Sequence, residues 1–128
     1  MRTRHLQFIP GILWLAFCFY LLTIPGKKIP QISWMDFYQA DKLVHIVMFF
    51  TLGFLFSFAV KRSDKKYLLI LMIAIGGIVF GIAMEFVQKY FIPNRSFDVN
   101  DMIADGIGCL AAYFWWRRRF KKSDVNYL

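Results

Sequence analysis

The composition of this 128-residue chain excludes an ordinary soluble domain. Hydrophobic residues make up 59% of it and aromatic residues 20%, and its mean hydropathy is +0.48. A soluble domain of this length needs more polar surface to cover its core. The formal net charge is +8, but the basic residues stand at the ends of apolar runs, which is typical of membrane anchoring rather than nucleic-acid binding. We therefore expect an integral membrane protein with no nucleic-acid partner.

The first apolar run, residues 6–24, is long enough to cross a hydrocarbon core, which takes about 20 helical residues. No small-residue cleavage site follows it, so we interpret it as a retained helix rather than a signal peptide. The loop over residues 25–42 contains the interfacial aromatics Trp34, Phe37 and Tyr38. Its sequence ISWMDFYQ is compatible with a short helix in the lipid headgroup layer.

Three further helices are predicted, over residues 43–60, 67–91 and 98–116. Asp41 precedes the second helix and is interpreted as its N-cap, and Pro93 ends the third because proline cannot continue a helix. The sequence shows no repeat, low-complexity segment or second domain. The predicted fold is therefore an all-α, polytopic membrane protein with four transmembrane helices in a single domain over residues 1–128.

Basic residues predict the orientation of these helices. Eleven of the sixteen lysines and arginines fall in the N-terminal tail, the turn at residues 61–66 and the tail after residue 116. The positive-inside rule therefore places both termini and that turn in the cytoplasm. The two remaining connections then face outward.

Two cysteines, Cys18 and Cys109, lie inside apolar runs. Cysteine in such a setting usually behaves as a small buried hydrophobe. The spacing supports neither a disulfide nor a metal pair, so both are predicted to be buried and free.

Polar residues gather at the predicted outer ends of helices two to four. Asp41 and His45 are four residues apart and share a helix face, and Asp98, Asp101 and Asp105 step by three and four along one seam of helix four. At about 1.5 Å per residue, these groups lie in the outer half of the membrane. The sequence therefore predicts one outward-opening polar pocket, built by Asp41, His45, Glu85, Gln88, Arg95, Asp98, Asp101 and Asp105.

Several of these residues also have local explanations. Asp98 suits an N-cap and Asp101, three residues later, resembles a capping-box acid, while Arg95 could pair with Glu85 or Asp98. Glu85 and Asp105 start no predicted helix, and an ionised carboxylate at that depth costs roughly 2.5 kcal/mol or more. These two must therefore be paired, protonated, hydrated or bound to a metal.

Small residues predict where two helices approach closely. Gly77 and Gly81 precede Glu85 at steps of four, and Gly108 and Ala112 continue the seam of helix four. Small residues let membrane helices come close together. We expect the two stripes to pack against each other, with the carboxylates at the outer end of the contact.

Four motif pieces occur in order along the chain: Asp41-Lys42-x-x-His45, Glu85-x-x-Gln88, Pro93-x-Arg95-Ser96-Phe97-Asp98, and Asp101-x-x-x-Asp105-x-x-Gly108. Their order and spacing resemble the VanZ-like family of small bacterial membrane proteins, over about residues 36–112. The resemblance implies four helices in the bacterial cytoplasmic membrane. Through its founding member, it also implies an association with resistance to the glycopeptide teicoplanin. Family members usually carry Asn where this chain has Asp105, which adds a negative charge.

Two functions remain open. The first is binding of an envelope lipid, a lipid-linked cell-wall precursor or a lipoglycopeptide, since five carboxylates against Lys42 and Arg95 suit an amine or a cation. The second is an intramembrane enzyme acting on a lipid-linked phosphate or glycan, through acid–base chemistry at Glu85 or a divalent metal held by His45, Glu85 and Asp101. A proton pathway is disfavoured, because no acid or histidine lies in the inner halves of the predicted helices.

Overall fold

The computed structural model describes residues 4–25 and 38–128, with side chains from position 41 onward in the second range. Over this part of the chain the fold is all-helical. A short 3-10 helix is followed by four α-helices, whose bounds are Leu6–Phe8 for the 3-10 helix, Ile9–Thr23 for α1, Tyr38–Val60 for α2, Lys66–Phe91 for α3 and Val99–Asn126 for α4.

Consecutive helices run in opposite directions. Lys42, near the start of α2, contacts Asp98 at the start of α4, whereas Lys66, at the start of α3, contacts Asp124 near the end of α4. We call the end that contains Lys42 and Asp98 the acidic end, and the end that contains Lys66 and Asp124 the basic end. Charges are thus sorted along the bundle axis, and the middle is apolar.

Three helical segments are long and apolar enough to cross a membrane: Leu6–Thr23, Asp41–Val60 and Lys66–Phe91. Large apolar side chains on these segments point away from the bundle, and Leu13 on α1 is 65% exposed. Continuous apolar surface of this kind is rare on soluble proteins. The predicted membrane protein is confirmed to this extent.

The fourth helix is different. Its longest stretch without a charged residue runs only from Gly106 to Trp116, because acids occupy its first turns and arginines follow Trp116. It is not among the three segments apolar enough to span a membrane. A fourth membrane crossing therefore stays a prediction.

Two helices begin or end elsewhere than predicted. α2 begins at Tyr38, so Asp41 lies in its first turn and its interpretation as the N-cap is wrong. α4 continues to Asn126 instead of ending at Trp116. The predicted headgroup helix falls mainly on residues 26–37, outside the described part of the chain.

Contacts at the basic end explain the longer α4. Phe120 is buried and packs with Trp116 in a core cluster that also contains Val60 and Ile70. One turn later, Asp124 accepts hydrogen bonds from Lys66 at 2.6 Å and from the Tyr67 hydroxyl at 2.7 Å. These two bonds, with the Lys66 bond the stronger cause, lower the pKa of Asp124.

Glycines set the distances between helices, and α2 and α4 form the most extensive contact. A Cβ on Gly108 would lie 2.5 Å from the backbone oxygen of Ile46, so only glycine permits this approach of α4 to α2. A Cβ on Gly81 would lie 2.8 Å from Oδ2 of Asp105. The α3 glycine stripe therefore faces α4, whereas Gly108 faces α2. The prediction that these two stripes face each other is wrong.

Both cysteines lie in the apolar interior. Cys18 is 0% and Cys109 2% exposed, and both are free thiols in one core cluster. Cys109 also fills the space beside Gly77, where a Cβ would lie 2.6 Å from its Sγ. The prediction of two buried, free cysteines is confirmed.

Candidate functional site

Lys42 lies at the centre of the charges at the acidic end. Its ammonium donates to Oδ2 of Asp98 at 2.5 Å and to Oδ1 of Asp101, and it lies 3.7 Å from a carboxylate oxygen of Asp41. The lysine comes from α2, and two of the carboxylates come from the N-cap and the first turn of α4. The hydrogen bond from Lys42 is the main reason why the pKa of Asp98 lies below its usual value.

A second pair lies one turn deeper on the same two helices. Nδ1 of His45 is 2.8 Å from Oδ1 of Asp105, and both side chains are buried. An ionised carboxylate only accepts hydrogen bonds, so Nδ1 carries the proton of this bond when Asp105 is ionised. Nε2, the other ring nitrogen, then faces Oδ2 of Asp101 at 3.8 Å.

Glu85 reaches the same region from α3. It is 1% exposed, and its Oε2 accepts a hydrogen bond from the backbone N–H of Asp98 at 3.0 Å. Asp98 is the N-cap of α4, as predicted, and its side chain accepts from the backbone N–H of Asn100. In a capping box, the acid at the third helical position, here Asp101, would accept the N-cap N–H. Glu85 takes that role, which leaves Asp101 for Lys42.

Gln88 and Arg95 face the first helix instead. Gln88 is buried and donates through Nε2 to the carbonyl of Leu22 at 2.9 Å. Arg95 donates through Nε to the carbonyl of Ile24 at 3.0 Å and through its terminal nitrogen to Leu21 at 3.2 Å. The last carbonyls of a helix have no partner within it, so these two side chains satisfy the end of α1.

We define the acidic cluster as six ionisable side chains that meet around Lys42, between α2, α3 and α4. They are Asp41, His45, Glu85, Asp98, Asp101 and Asp105. Of the eight predicted site residues, the structure brings these six together and places Gln88 and Arg95 against α1.

The acidic cluster has an exposed layer and a buried layer. The side chain of Asp41 is 54% exposed and that of Asp98 30%. Asp101, His45, Asp105 and Glu85 lie beneath them and are buried. A ligand from outside would therefore meet Asp41 and Asp98 first.

Among the described residues, four surface cavities lie at the basic end and along apolar helix faces, and the acidic cluster lines none of these four. The interfacial aromatics Trp34 and Phe37 belong to residues 26–37, outside the described range. The side chain of Tyr38 is not described either. An open pocket above the cluster therefore stays a prediction.

Three side chains of the cluster have the spacing of a metal site. One ligand atom from each of Asp41, His45 and Asp101 lies within 4.8 Å of the other two. Histidines that bind metals usually donate their other ring N–H to a carboxylate, and Asp105 occupies that position on His45. Asp101 also holds Lys42, so a metal would compete with this ammonium. Glu85, the third predicted metal ligand, is not in this group of three.

The profile of the VanZ/LLP1 family matches residues 7–121, which is most of the chain. The chain belongs to the VanZ/LLP1 family. This confirms the family suggested by the motifs and extends the match to helix α1 and to most of α4.

A protein of Schizosaccharomyces pombe, uncharacterized protein C11E3.10, is 35% identical to this VanZ/LLP1 chain over 92 residues. The match covers 67% of the chain and 54% of the relative, so the chain spans about half the length of the curated relative it matches. No solved structure matches the chain.

Two features of this VanZ/LLP1 site were missed by sequence reasoning. Lys42 was counted as a nearby charge but not as a site residue, although its position between Asp41 and His45 in the first motif was a usable signal. The backbone carbonyls that accept hydrogen bonds from Gln88 and Arg95 cannot be predicted from side-chain identity, because every residue has a backbone carbonyl.

Proposed function

We propose that this protein crosses the membrane four times and that its acidic cluster binds the amine of an envelope lipid, a lipid-linked cell-wall precursor or a lipoglycopeptide. One observation carries the proposal: the ammonium of Lys42 is held by Asp98 and Asp101, with Asp41 beside it. Groups arranged to hold one ammonium suit a second, which would either displace Lys42 or bind at the exposed Asp41.

Charge favours a cationic partner. Arg95 donates to carbonyls of α1, so of the two cations counted from the sequence only Lys42 lies among the five carboxylates. Such a site attracts ammonium groups and repels a bare phosphate. The exposed apolar faces of the helices supply a surface for acyl chains, which explains why an amphipathic molecule fits better than a soluble amine.

The ligand used to test the proposal is an abundant amphipathic amine. Phosphatidylethanolamine fits this description, because its head group ends in a primary amine and its acyl chains match the exposed apolar faces of the helices. Teicoplanin resistance would then be a consequence of lipid binding rather than the primary function of the protein.

Orientation is part of the proposal. The basic end holds Lys61, Arg62 and the arginines after Trp116, which supports a cytoplasmic basic end and an outward-facing acidic end in a bacterial inner membrane. The test is labelling of single cysteines by an impermeant maleimide in intact cells. Asn94→Cys should be labelled and Asp64→Cys protected, both in a background lacking Cys18 and Cys109. Labelling at position 64 alone would reverse the topology.

Binding is tested with two lipids that differ only at the amine. We expect the purified protein to retain phosphatidylethanolamine about tenfold more tightly than its N-acetylated derivative in native mass spectrometry, a difference of about 1.4 kcal/mol. Asp41→Asn should remove most of this preference without unfolding the protein, because Asp41 is exposed. Asp64→Asn, an exposed acid at the basic end, is the matched control. Equal retention of the two lipids by the wild type would overturn the proposal.

The resistance phenotype needs a separate test. In a teicoplanin-sensitive host, expression of the wild type should raise the inhibitory concentration, and Asp41→Asn should lose that effect while Asp64→Asn keeps it. Glu85→Ala and Arg95→Ala are less informative, since both residues also hold helices together. Protection by Asp41→Asn equal to the wild type would separate resistance from the acidic cluster.

A second function, metal-assisted catalysis on a lipid-linked phosphate, is favoured by the spacing of Asp41, His45 and Asp101. A divalent ion there would polarise a phosphate oxygen. Here we expect one Zn²⁺ or Mn²⁺ per chain by calorimetry, lost in His45→Gln and bound at least tenfold more tightly in Lys42→Gln, where the competing ammonium is gone. Equal metal affinity in His45→Gln and Lys42→Gln would exclude this metal site. A metal-loaded protein that does not act on a polyprenyl phosphate would exclude the catalysis.

A further inference from the structure

A cleft at the basic end is lined by basic and aromatic side chains. It has a volume of about 600 Å³ and lies between α2, α3 and α4, beside Phe58, Lys61, Arg62, Trp115, Trp116 and Arg119. Lys66 lines it as well, and no acidic side chain does among the described residues. We call it the basic cleft.

The basic cleft lies where α2 leaves the apolar part of the bundle. The apolar segment of α2 ends at Val60, and Lys61 and Arg62 follow directly. On α4, Trp115 is 44% exposed and Phe58 on α2 is 43% exposed. Exposed tryptophans are enriched at the level of lipid head groups, so the cleft is apolar on the membrane side and cationic on the aqueous side.

Cations are set over the aromatic rings of the cleft. Nζ of Lys61 lies 3.6 Å from the ring centre of Phe58, and the guanidinium of Arg119 lies 6.0 Å from that of Trp115. Cation–π contacts of this kind hold a charged side chain in place without neutralising it. Lys66 differs, since Asp124 neutralises it at 2.6 Å.

We propose that the basic cleft binds the phosphate head group of an anionic phospholipid from the membrane leaflet on that side. Basic pockets between membrane helices recognise such head groups through charge, and the adjacent apolar surface accepts the acyl chains. Trp115 and Arg119 also line a neighbouring cleft with Arg118 and Lys122. Two phosphates of one lipid can therefore be accommodated around Arg119, which favours cardiolipin over phosphatidylglycerol. This site lies at the opposite end of the protein from the acidic cluster and does not depend on the function proposed for it.

An alternative explanation is that these residues only set the orientation of the helices, as basic residues at membrane boundaries do. Orientation depends on the number of charges on a side, whereas a binding site depends on which charges line it. Two double variants with the same change in net charge separate the two explanations. Lys61→Gln with Arg119→Gln removes charges from the cleft, and Lys65→Gln with Lys121→Gln removes exposed charges outside it.

The experiment measures lipids retained by the full-length protein in native mass spectrometry, after titration with cardiolipin, phosphatidylglycerol or phosphatidylcholine. We expect the wild type to prefer both anionic lipids to phosphatidylcholine, and the cleft variant to lose about tenfold or more in affinity for them. The variant outside the cleft should lose less than about twofold. Melting in a zwitterionic detergent checks that both variants are folded.

Two results would overturn the proposal. Equal losses in the two double variants would show general attraction by net charge rather than a site. Displacement of bound lipid by millimolar inorganic phosphate or ATP would show that the cleft takes a soluble phosphate instead. If the cleft variant is unfolded, Arg119→Gln alone, exposed and at the end of the cleft, replaces it in the same comparison.

Discussion

Glu85 on α3 accepts a hydrogen bond from the backbone N–H of Asp98, 3.0 Å away at the N-cap of α4. The bond closes the turn that joins the two helices and uses one oxygen of a carboxylate that is 1% exposed. Because Glu85 takes the capping role, Asp101 is available to hold Lys42. The helix joint and the acidic cluster are therefore parts of one network.

Removal of the Glu85 side chain should loosen that joint. Glu85→Ala leaves the Asp98 N–H without its partner, at a cost of about 1–3 kcal/mol. Glu85→Gln keeps an accepting oxygen and should lose less than half as much. Chemical or thermal unfolding in detergent micelles measures both. Equal losses in the two variants would show that the charge of Glu85 stabilises the protein rather than its hydrogen bond.

The pairing of Asp98 with Lys42 should show in acid. The hydrogen bond from Lys42 lowers the pKa of folded Asp98 below its usual value, so the folded protein binds fewer protons there than the unfolded chain. The resulting stabilisation is complete above about pH 5 and is lost as the pH falls through the folded pKa.

Asp98→Asn isolates this effect, because Asn caps a helix as well as Asp does. We expect a loss of about 1 kcal/mol at pH 7, in the range of partly exposed ion pairs, and a difference from the wild type that shrinks below about pH 4. Asp98→Ala should lose about 1 kcal/mol more through the lost cap. If the difference in unfolding free energy between the wild type and Asp98→Asn were the same at every pH, the ion pair would be excluded as its cause.

Gln88 and Arg95 should control the order of the end of α1. Gln88→Leu leaves the carbonyl of Leu22 without its donor, and we expect faster hydrogen exchange of the amides around residues 21–24 with little change elsewhere. Lys89→Gln, an exposed neighbour on the same helix, is the control. Protection at α1 that is unchanged in Gln88→Leu would mean that packing alone holds the helix.

Replacing two glycines of α4 with alanine should change the stability of the protein in opposite directions. In Gly108→Ala the new Cβ would meet the backbone of α2 at 2.5 Å and 2.8 Å, and overpacking against backbone costs about 1–3 kcal/mol. In Gly106→Ala nothing lies within 4 Å, so the gain in helix propensity, about 0.5–1 kcal/mol, should stabilise the protein. Unfolding in the same detergent compares them, and equal stabilities would contradict the close approach of α2 and α4.

Phe120 tests whether α4 belongs to the bundle beyond Trp116. It is 4% exposed, and Phe120→Ala should cost about 3 kcal/mol. Phe114, on the same helix, is 55% exposed, and Phe114→Ala should cost far less. If both variants melt at the temperature of the wild type, the last turns of α4 do not pack as the structure describes.

Sequence reasoning located the helices well where a hydrophobic run has clear ends. The third helix was predicted within one residue, because lysines precede it and Pro93 follows it. The end of α4 was missed, since a run of arginines and lysines resembles a solvated tail, and only the packing of Phe120 reveals that the helix continues. Asp41 was misassigned because a helix start cannot be read from an acid when the preceding residues are also helix-compatible.

The candidate site was predictable in its members but not in its pairings. Three- and four-residue steps place Asp98, Asp101 and Asp105 on one face, and the structure agrees. Which acid faces Lys42 and which faces His45 depends on the rotation of α4 against α2, which Gly108 fixes through a contact far away in sequence. Pairing of Arg95 with Glu85 or Asp98 was one local explanation offered by the sequence, but Arg95 donates to carbonyls of α1 instead, and the local sequence gives no information about the end of α1.

Gln88 and Arg95 hold the end of α1 through hydrogen bonds to main-chain oxygens. These bonds do not depend on which side chains the accepting residues carry. No α1 side chain in the described range contributes a charge to the acidic cluster. Substitutions in α1 that keep Cys18 and Leu22 packed in the core and keep the hydrogen bond from Trp14 to the carbonyl of Met48 should therefore leave the ionic contacts of the other three helices in place.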